Sequence, residues 1–427
     1  MDNNRRTAFL IIRDVEEKKA YSHIAVNNYV SRMRPDSPPF VRELTYGVLR
    51  EKLYLDYIIT CFVRTPLEKT EKSDLILLRM GLYQILRMDS VPDYAAINET
   101  VELAKKYSIG HDGFINGVLR QYLRDREYVN LPDRREDEVR YLSLKYSYAP
   151  WIVKMWTKEF GKEDAEKLLK AGNVIPEINI RVNQLKNTKE DLYRRLAARG
   201  YKVSVNPAFD NSLRVSNNDL LGGRFYKSGL YSIQDEGSIA VVEALDPQPG
   251  QKVVDVCAAP GGKTMAIAEK MHNNGEIIAT DIYKRKLRLI KEQAQRLGVN
   301  IVKTWSWDGA RTDSDLVDTA DRVLVDAPCS GLGTVRKKPE IKYKAFDGEV
   351  EKLPAIQKDI LSASAPYVKP GGILVYATCT LSERENQQVT DHFLGKRRDF
   401  EKVESRLLLP GEDDSDGFYI CKMKRKD

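Results

Sequence analysis

A short apolar strand runs into a glycine turn and then into a helical pattern at Asp255-Val-Cys-Ala-Ala-Pro-Gly-Gly-Lys-Thr264, and this stretch sets the frame for the second half of the chain. Strand-like runs recur after it at 277–280, 301–305, 322–326 and 372–378, most with helical stretches between them. Together with 253–256 they predict a parallel α/β sheet. Such a sheet binds its ligands beyond the carboxyl ends of its strands. The reactive side chains of this half of the chain collect at those ends.

At the first strand end, Gly261 and Gly262 let the backbone of the turn Cys257-Ala258-Ala259-Pro260-Gly261-Gly262 approach a ligand closely, and Asp255 just before it fixes the turn or accepts from the ligand. Asp281 ends the next strand, where a carboxylate can hold two ribose hydroxyls. Asp308 follows the third, within reach of an adenine amino group. Three acids at three successive strand ends suit a nucleoside cofactor. The spaced GxGxxG of a dinucleotide site and the GxxxxGK[ST] of a phosphate-binding loop are both missing, which leaves S-adenosylmethionine as the best fit.

Two of the five cysteines also stand at strand ends, Cys329 in Asp326-Ala-Pro-Cys-Ser-Gly331 and Cys379 in Tyr376-Ala-Thr-Cys-Thr380. One thiol can act as nucleophile while a second in the same cleft serves a later proton or release step, a pairing suited to covalent chemistry on an unreactive ring carbon. Cys61, Cys257 and Cys421 read as small buried apolar residues. An odd count without paired spacing argues for reduced thiols, and the lack of any CxxC argues against a metal site or a dithiol redox protein. The four histidines have no ligand spacing, so no metal is expected.

Residues 1–145 read as an all-α domain. Apolar residues recur at three and four spacing from Leu75 to Leu86 and from Phe114 to Tyr122, Ser37-Pro38-Pro39 offers a capped helix start, and Val91-Pro92-Asp93 separates two helices. Residues 146–234 read as a small α+β unit, with a helix through Lys170, a strand at 178–183 carrying Arg181 and Asn183, a helix at 188–199, extended segments at 202–205 and 231–234, and turns at Gly222, Gly223 and Gly229. Residues 235–427 form the α/β domain. The net charge of +7 fits a polyanionic partner. Of its two clusters, Lys284 to Arg288 reads as a solvated helix face, and Arg336 to Lys344, directly after the Cys329 motif, as a binding loop. No apolar window approaches the ~18 residues of a membrane span, so a cytoplasmic protein is expected.

The motif at 255–264, the run Asp326-Ala-Pro-Cys-Ser-Gly-Leu-Gly-Thr-Val-Arg-Lys-Lys-Pro-Glu-Ile-Lys342 and the run Tyr376-Ala-Thr-Cys-Thr-Leu-Ser-Glu-Arg-Glu-Asn386 resemble the RNA cytosine-5 methyltransferases of the RsmB/Sun group. Arg42-Glu-Leu-Thr-Tyr-Gly-Val-Leu-Arg50, Ala96 to Ala104 and Asn116 to Arg120 look like that group's NusB-type helical domain. The resemblance implies a Rossmann-like methyltransferase domain preceded by a NusB-like domain and a small, RRM-like RNA-binding linker domain. It implies a cytosine of 16S ribosomal RNA as substrate, with no membrane or metal and with the chain acting as a monomer. It assigns nucleophilic attack to Cys379, adduct breakdown to Cys329, the ring-nitrogen edge of the base to Asp326 and orientation of base or thiolate to Lys263. Tyr343 is left between stacking on RNA and packing. Transfer RNA as substrate and a non-catalytic ribosome assembly factor are the alternatives. The NusB-like domain speaks against the first, and retention of both cysteines, Asp326 and the cofactor turn against the second.

Overall fold

The computed structural model describes residues 2–216, 220, 223–343, 348–412 and 415–427. Gly222 and Lys344, read above as part of a turn and of a basic run, lie outside the described residues. The chain divides into two compact units, Met1–Val174 with Val335–Ala345, and Ile175–Thr334 with Phe346–Asp427. No helix among the described residues is long and apolar enough to cross a membrane.

The first unit is helical because its apolar residues repeat with the helical period. Leu75, Ile76, Leu78 and Leu82 of the helix Lys72–Arg87 and Ile115, Val118, Leu119 and Tyr122 of Asp112–Asp125 enter one core cluster, while Phe114 at the edge of its stripe stays exposed. Ser37 caps Pro38–Arg50 by accepting from the Phe40 amide at 3.4 Å. Arg79 is buried in this core with Asp56 at 2.6 Å and Glu16 at 2.9 Å, so its charge is met by two carboxylates from different helices. The helices Pro150–Phe160 and Lys162–Ala171 group with this unit.

The basic run after the Cys329 motif departs from the sequence expectation. Arg336 is buried and Lys342 wholly so, and the Lys342 ammonium donates to the carbonyls of Arg50 and Tyr146 at 2.8 and 2.9 Å and to Asn173 Oδ1 at 2.7 Å. Three donors meet three neutral acceptors, and burial pushes the lysine well below its ordinary pKa. Tyr343 packs as well: its hydroxyl donates to the Arg50 carbonyl at 2.8 Å and accepts from the Lys52 amide at 3.1 Å. These residues build the helical unit instead of facing a ligand.

The second unit holds two sheets. The smaller contains β1 (Ile178–Val182), β2 (Val203–Val205), β3 (Ser212–Val215) and β4 (Tyr231–Ile233) in the antiparallel order β2-β3-β1-β4. The larger contains β5 (Lys252–Val256), β6 (Glu276–Asp281), β7 (Val302–Ser306), β8 (Ala320–Asp326), β9 (Val368–Thr378), β10 (Phe400–Leu408) and β11 (Phe418–Arg425). Its order is β10-β11-β9-β8-β5-β6-β7, with β5 to β9 parallel and β11 and β10 added antiparallel at one edge. The chain steps from β5 outward to β7 and then returns to β8 on the other side of β5. The carboxyl ends of β5 and β8 therefore flank the crevice where loops diverge, which is where open α/β sheets take their ligands.

Arg181 on β1 and Glu269 on the helix Gly262–Lys270 tie the two sheets together. The guanidinium meets the carboxylate through two hydrogen bonds of 2.9 and 2.8 Å, donates to the Gly262 carbonyl at 3.1 Å and also reaches Gln234. Both side chains are buried, at 1% and 3% exposure. Arg181 therefore has a structural role; Asn183 likewise donates to the carbonyls of Gly229 and Leu297 at 2.8 Å. Removing one partner of a buried pair strands the other charge, so Arg181→Met should cost about 3–5 kcal/mol in urea unfolding. The double variant Arg181→Met/Glu269→Leu should recover most of that loss, and equal stabilities for single and double variants would show that the stranded charge is not the cause.

Candidate active site

Five strand ends supply the site. After β5 the chain turns at Cys257, which takes a left-handed φ of 61°, and the Ala258 amide donates to the Thr280 carbonyl of β6 at 2.8 Å. Gly261 has φ of 103°, and a Cβ there would lie 3.2 Å from Ile290, so only glycine fits without strain. The helix Gly262–Lys270 then starts, sending Lys263 and Thr264 back toward the strand end.

Asp255 is buried and accepts from Thr264 Oγ1 at 2.6 Å through one oxygen, while its other oxygen finds no partner among the described residues. Burial pushes this carboxyl up to about 7, with the Thr264 bond opposing and the Asp326 charge adding. Asp281, at 7% exposure, accepts from the Tyr283 amide at 2.9 Å. Asp308 is more open and accepts from the Ala310 amide at 3.1 Å. Burial and then the charges of Asp281, Asp326, Asp255 and Asp308 push the Cys257 thiol up, so four carboxylates bear on one turn. Cys257 is half-buried instead of buried, and Cys61 is exposed, both against the sequence expectation; Cys421 is buried.

Lys263 Nζ lies 2.7 Å from Asp326 Oδ2. Burial works against the lysine's charge, but the charge and hydrogen bond of Asp326, followed by the charges of Cys379 and Asp255, hold its pKa above the ordinary lysine value. Beside this pair the Sγ atoms of Cys329 and Cys379 are 3.3 Å apart. Register explains the meeting. Asp326 of β8 pairs with Ala377 of β9, and the Ala327 amide donates to the Ala377 carbonyl at 3.0 Å, so both cysteine loops leave the sheet at one level. The Cys329 thiol is pushed well up, first by its hydrogen bond with Cys379, then by burial and by the charges of Cys379 and Glu385.

Sequence reading missed what holds these loops. Glu385 is buried, and its carboxylate accepts from the Ser330 amide at 2.9 Å, Ser330 Oγ at 2.6 Å and Gln357 Nε2 at 3.0 Å. Gln357 Nε2 also donates to the Pro328 carbonyl at 2.9 Å, and the Ser330 and Thr380 hydroxyls are 2.7 Å apart. One acid therefore binds the residue after Cys329 and, through it, the residue after Cys379. The Gly333 amide donates to the Cys379 carbonyl at 3.0 Å, and a Cβ on Gly333 would fall 2.0 Å from the Gly417 carbonyl oxygen. The available signal was an acidic residue inside a strand-end motif, Ser382-Glu-Arg-Glu-Asn386, on a segment that also carries the cysteine.

Comparison with known proteins bears on the chain as a whole. Residues 242–424 match the model described as 16S rRNA methyltransferase RsmB/F, residues 2–124 the NusB family, and residues 148–219 the Methyltr_RsmF/B-like ferredoxin-like domain. The probable ribosomal RNA small subunit methyltransferase B of Bacillus subtilis (strain 168) is 38% identical over 435 residues, covering 96% of each chain. Its Synechocystis sp. counterpart is 33% identical over 458 residues and covers 100% of each. Among solved structures, PH0851 shares the fold over 99% of this chain and 98% of its own, with a TM-score of 0.88 at 24% identity. A methyltransferase homolog from Pyrococcus horikoshii is 28% identical, covers 68% of this chain and 99% of its own, and has a TM-score of 0.61.

The buried Asp255 gives a test that needs no substrate. Its folded pKa of about 7 lies above the ordinary 3.8, so between those values the folded state holds a proton that the unfolded chain has released. Its contribution to stability is full below the unfolded value and is lost as pH rises through the folded one. Going from about pH 5 to about pH 8.5, the parent protein should lose about 2–3 kcal/mol relative to Asp255→Asn in urea melts. A constant difference between the two proteins would mean that Asp255 is already ionised at the lower pH.

Proposed function

The chain belongs to the 16S rRNA methyltransferase RsmB/F family, a S-adenosylmethionine-dependent rRNA methyltransferase, and we propose that it methylates carbon 5 of a cytosine through a covalent bond between Cys379 and carbon 6. The observation that carries this reading is the meeting of the two thiols, 3.3 Å apart, beside the Lys263–Asp326 pair. A single base entering the crevice would face all four groups.

The strand-end residues fit the cofactor. Lys263 pairs with Asp326, and the exposed Arg311 lies 3.8 Å from Asp308, so the four carboxylates around this turn outnumber the cations beside them and suit a ligand carrying sulfonium and amino charges. Asp281 would hold the ribose hydroxyls, Asp308 the adenine amino group, and the turn Cys257–Gly262 would receive the methionyl part against its backbone. When bound, S-adenosylmethionine supplies an electrophilic methyl group.

The chain's own residues make carbon 5 able to take it. Cytosine carbon 5 is a poor nucleophile, and addition of the Cys379 thiolate to carbon 6 turns it into an enamine-like centre. Lys263, whose field reaches Cys379, favours the thiolate, and Asp326 bonds the ring-nitrogen edge of the base and favours the protonated adduct. Once carbon 5 carries the methyl group, its hydrogen leaves as a proton to water, the sulfur–carbon 6 bond breaks, and its electron pair returns to Cys379, where the adjoining Cys329 thiol donates a hydrogen bond to the departing sulfur. The raised Cys329 thiol stays protonated at neutral pH and does not compete for carbon 6. The target base must leave its stack to enter.

Separating the cysteines tests this division of labour. Cys379→Ala should abolish methylation, read by bisulfite sequencing of the RNA, and should form no adduct. Cys329→Ala should still attack and methylate but release slowly, giving a shifted protein–RNA band on a denaturing gel. A trapped band from Cys379→Ala, with Cys329→Ala inactive and adduct-free, would exchange the two roles.

Asp281→Ala should weaken S-adenosylmethionine binding by about 1.5–3 kcal/mol in calorimetry, the worth of hydrogen bonds to a charged group, while RNA affinity stays near the parent value. Unchanged cofactor affinity would remove Asp281 from the site.

A further inference from the structure

The smaller sheet carries charge that the active site does not use. Residues 186–227 contain nine Lys and Arg against four Asp and Glu, in a chain whose entire excess is +7. Three of those arginines converge. Arg195, from the helix Lys189–Ala197, Arg199 just after it, and Arg224, which opens the helix Arg224–Lys227, line a concavity of about 630 Å³ together with Phe225 and Ser228. All three arginines are exposed. Arg195 is paired with Asp191 at 2.7 Å. Arg199 and Arg224 make no ion pair among the described residues, and the Arg199 guanidinium lies over the Phe225 ring at 4.8 Å.

Two guanidiniums that make no ion pair among the described residues, brought to one concavity from segments 25 residues apart, repel each other, and an anion between them would relieve that repulsion. Their planar forks match phosphate oxygens. A guanidinium already stacked on an aromatic ring offers its outer face to a nucleobase. An acidic protein segment would satisfy the charge but would leave the stacked layer unused, so the combination favours RNA.

We propose that this concavity is a second RNA contact, remote in sequence from both cysteines, which takes a phosphate of a single-stranded segment between Arg199 and Arg224 and stacks the adjoining base on the Arg199–Phe225 layer. It rests on RNA being the substrate and not on carbon 5 chemistry.

The test uses the full chain and a fluorescent single-stranded RNA oligonucleotide of 16S rRNA sequence, with anisotropy measured across a salt series. Arg199→Gln/Arg224→Gln should bind about tenfold more weakly, and the slope of log affinity against log salt should shrink by about 0.7, the share of the one phosphate they hold. Its S-adenosylmethionine affinity and melting temperature should match the parent, which excludes misfolding. Phe225→Leu should weaken binding by about fivefold with the slope unchanged, as loss of stacking requires. Parent affinity and slope in the double arginine variant would overturn the proposal. So would equal binding of a poly-glutamate peptide and the oligonucleotide, both lost in that variant, which would make the concavity an acidic-protein site. Weakened RNA binding in the variant alongside a parent protein that leaves cytosine unmethylated would sink the proposed chemistry and leave this contact standing.

Discussion

The parallel pairing of β8 with β9 is the constraint on which the site depends. Asp326 and Ala377 stand opposite each other, so the two loops begin level, and each reaches its cysteine within three residues. Register alone would leave them free to diverge. Fixing each loop residue costs about 1–2 kcal/mol of backbone entropy, and something must offset it. Glu385 does so from below: a buried carboxylate with three donors holds Ser330 and Gln357, and these hold Thr380 and Pro328. The dependence is mutual, because without these donors the carboxylate itself would be too costly to bury. The thiol contact is the outcome of a strand register and of an anion that holds the residues beside the two cysteines.

The other wall of the crevice follows the same logic with the opposite sign of charge at its centre. Arg181 reaches from β1 to the Gly262 carbonyl at the first turn of the helix that carries Lys263, and Glu269 two turns on holds its guanidinium in place. The cofactor turn is thereby braced from a different sheet. Packing alone would allow the glycine turn several conformations. The guanidinium, with fixed fork geometry and no spare room, restricts it to one.

How much of this was legible follows from where each signal is stored. Strands β5, β6, β8 and β9 carry mostly buried apolar runs that end in polar residues, so the sheet and the side chains at its carboxyl ends were readable. Strand β10 was not: it is an edge strand whose middle, Glu401 to Ser405, faces water, and its charges erase the alternation. The run from Arg336 to Lys342 misled because burial of a lysine depends on acceptors supplied by Arg50, Tyr146 and Asn173, between 169 and 292 residues away in the chain. Local composition holds no trace of such partners. Cys61 misled in the reverse direction, since its helix Lys52–Phe62 buries Leu55, Ile58 and Ile59 and leaves position 61 on the open face. Lys263 and Asp326 were named from resemblance, but only coordinates reveal that they bind each other.

The same distinction bears on the two cysteines. In sequence they are equivalent, each within three residues of a strand end and each followed by a hydroxyl residue, and only resemblance ranks them. Their surroundings differ in sign. Lys263 lies within the field of Cys379, and an adjacent ammonium stabilises a thiolate. Cys329 is half-buried and feels Glu385, whose negative charge, together with burial, disfavours a second thiolate at that spot. Two thiolates in contact would also repel, so the pair can hold one negative charge at most without a large penalty. The cation on one side and the carboxylate on the other bias that charge toward Cys379, which supports the proposed assignment of attack to that residue. Glu385 thus serves two ends with one carboxylate, fixing where the loops stand and disfavouring a thiolate at Cys329.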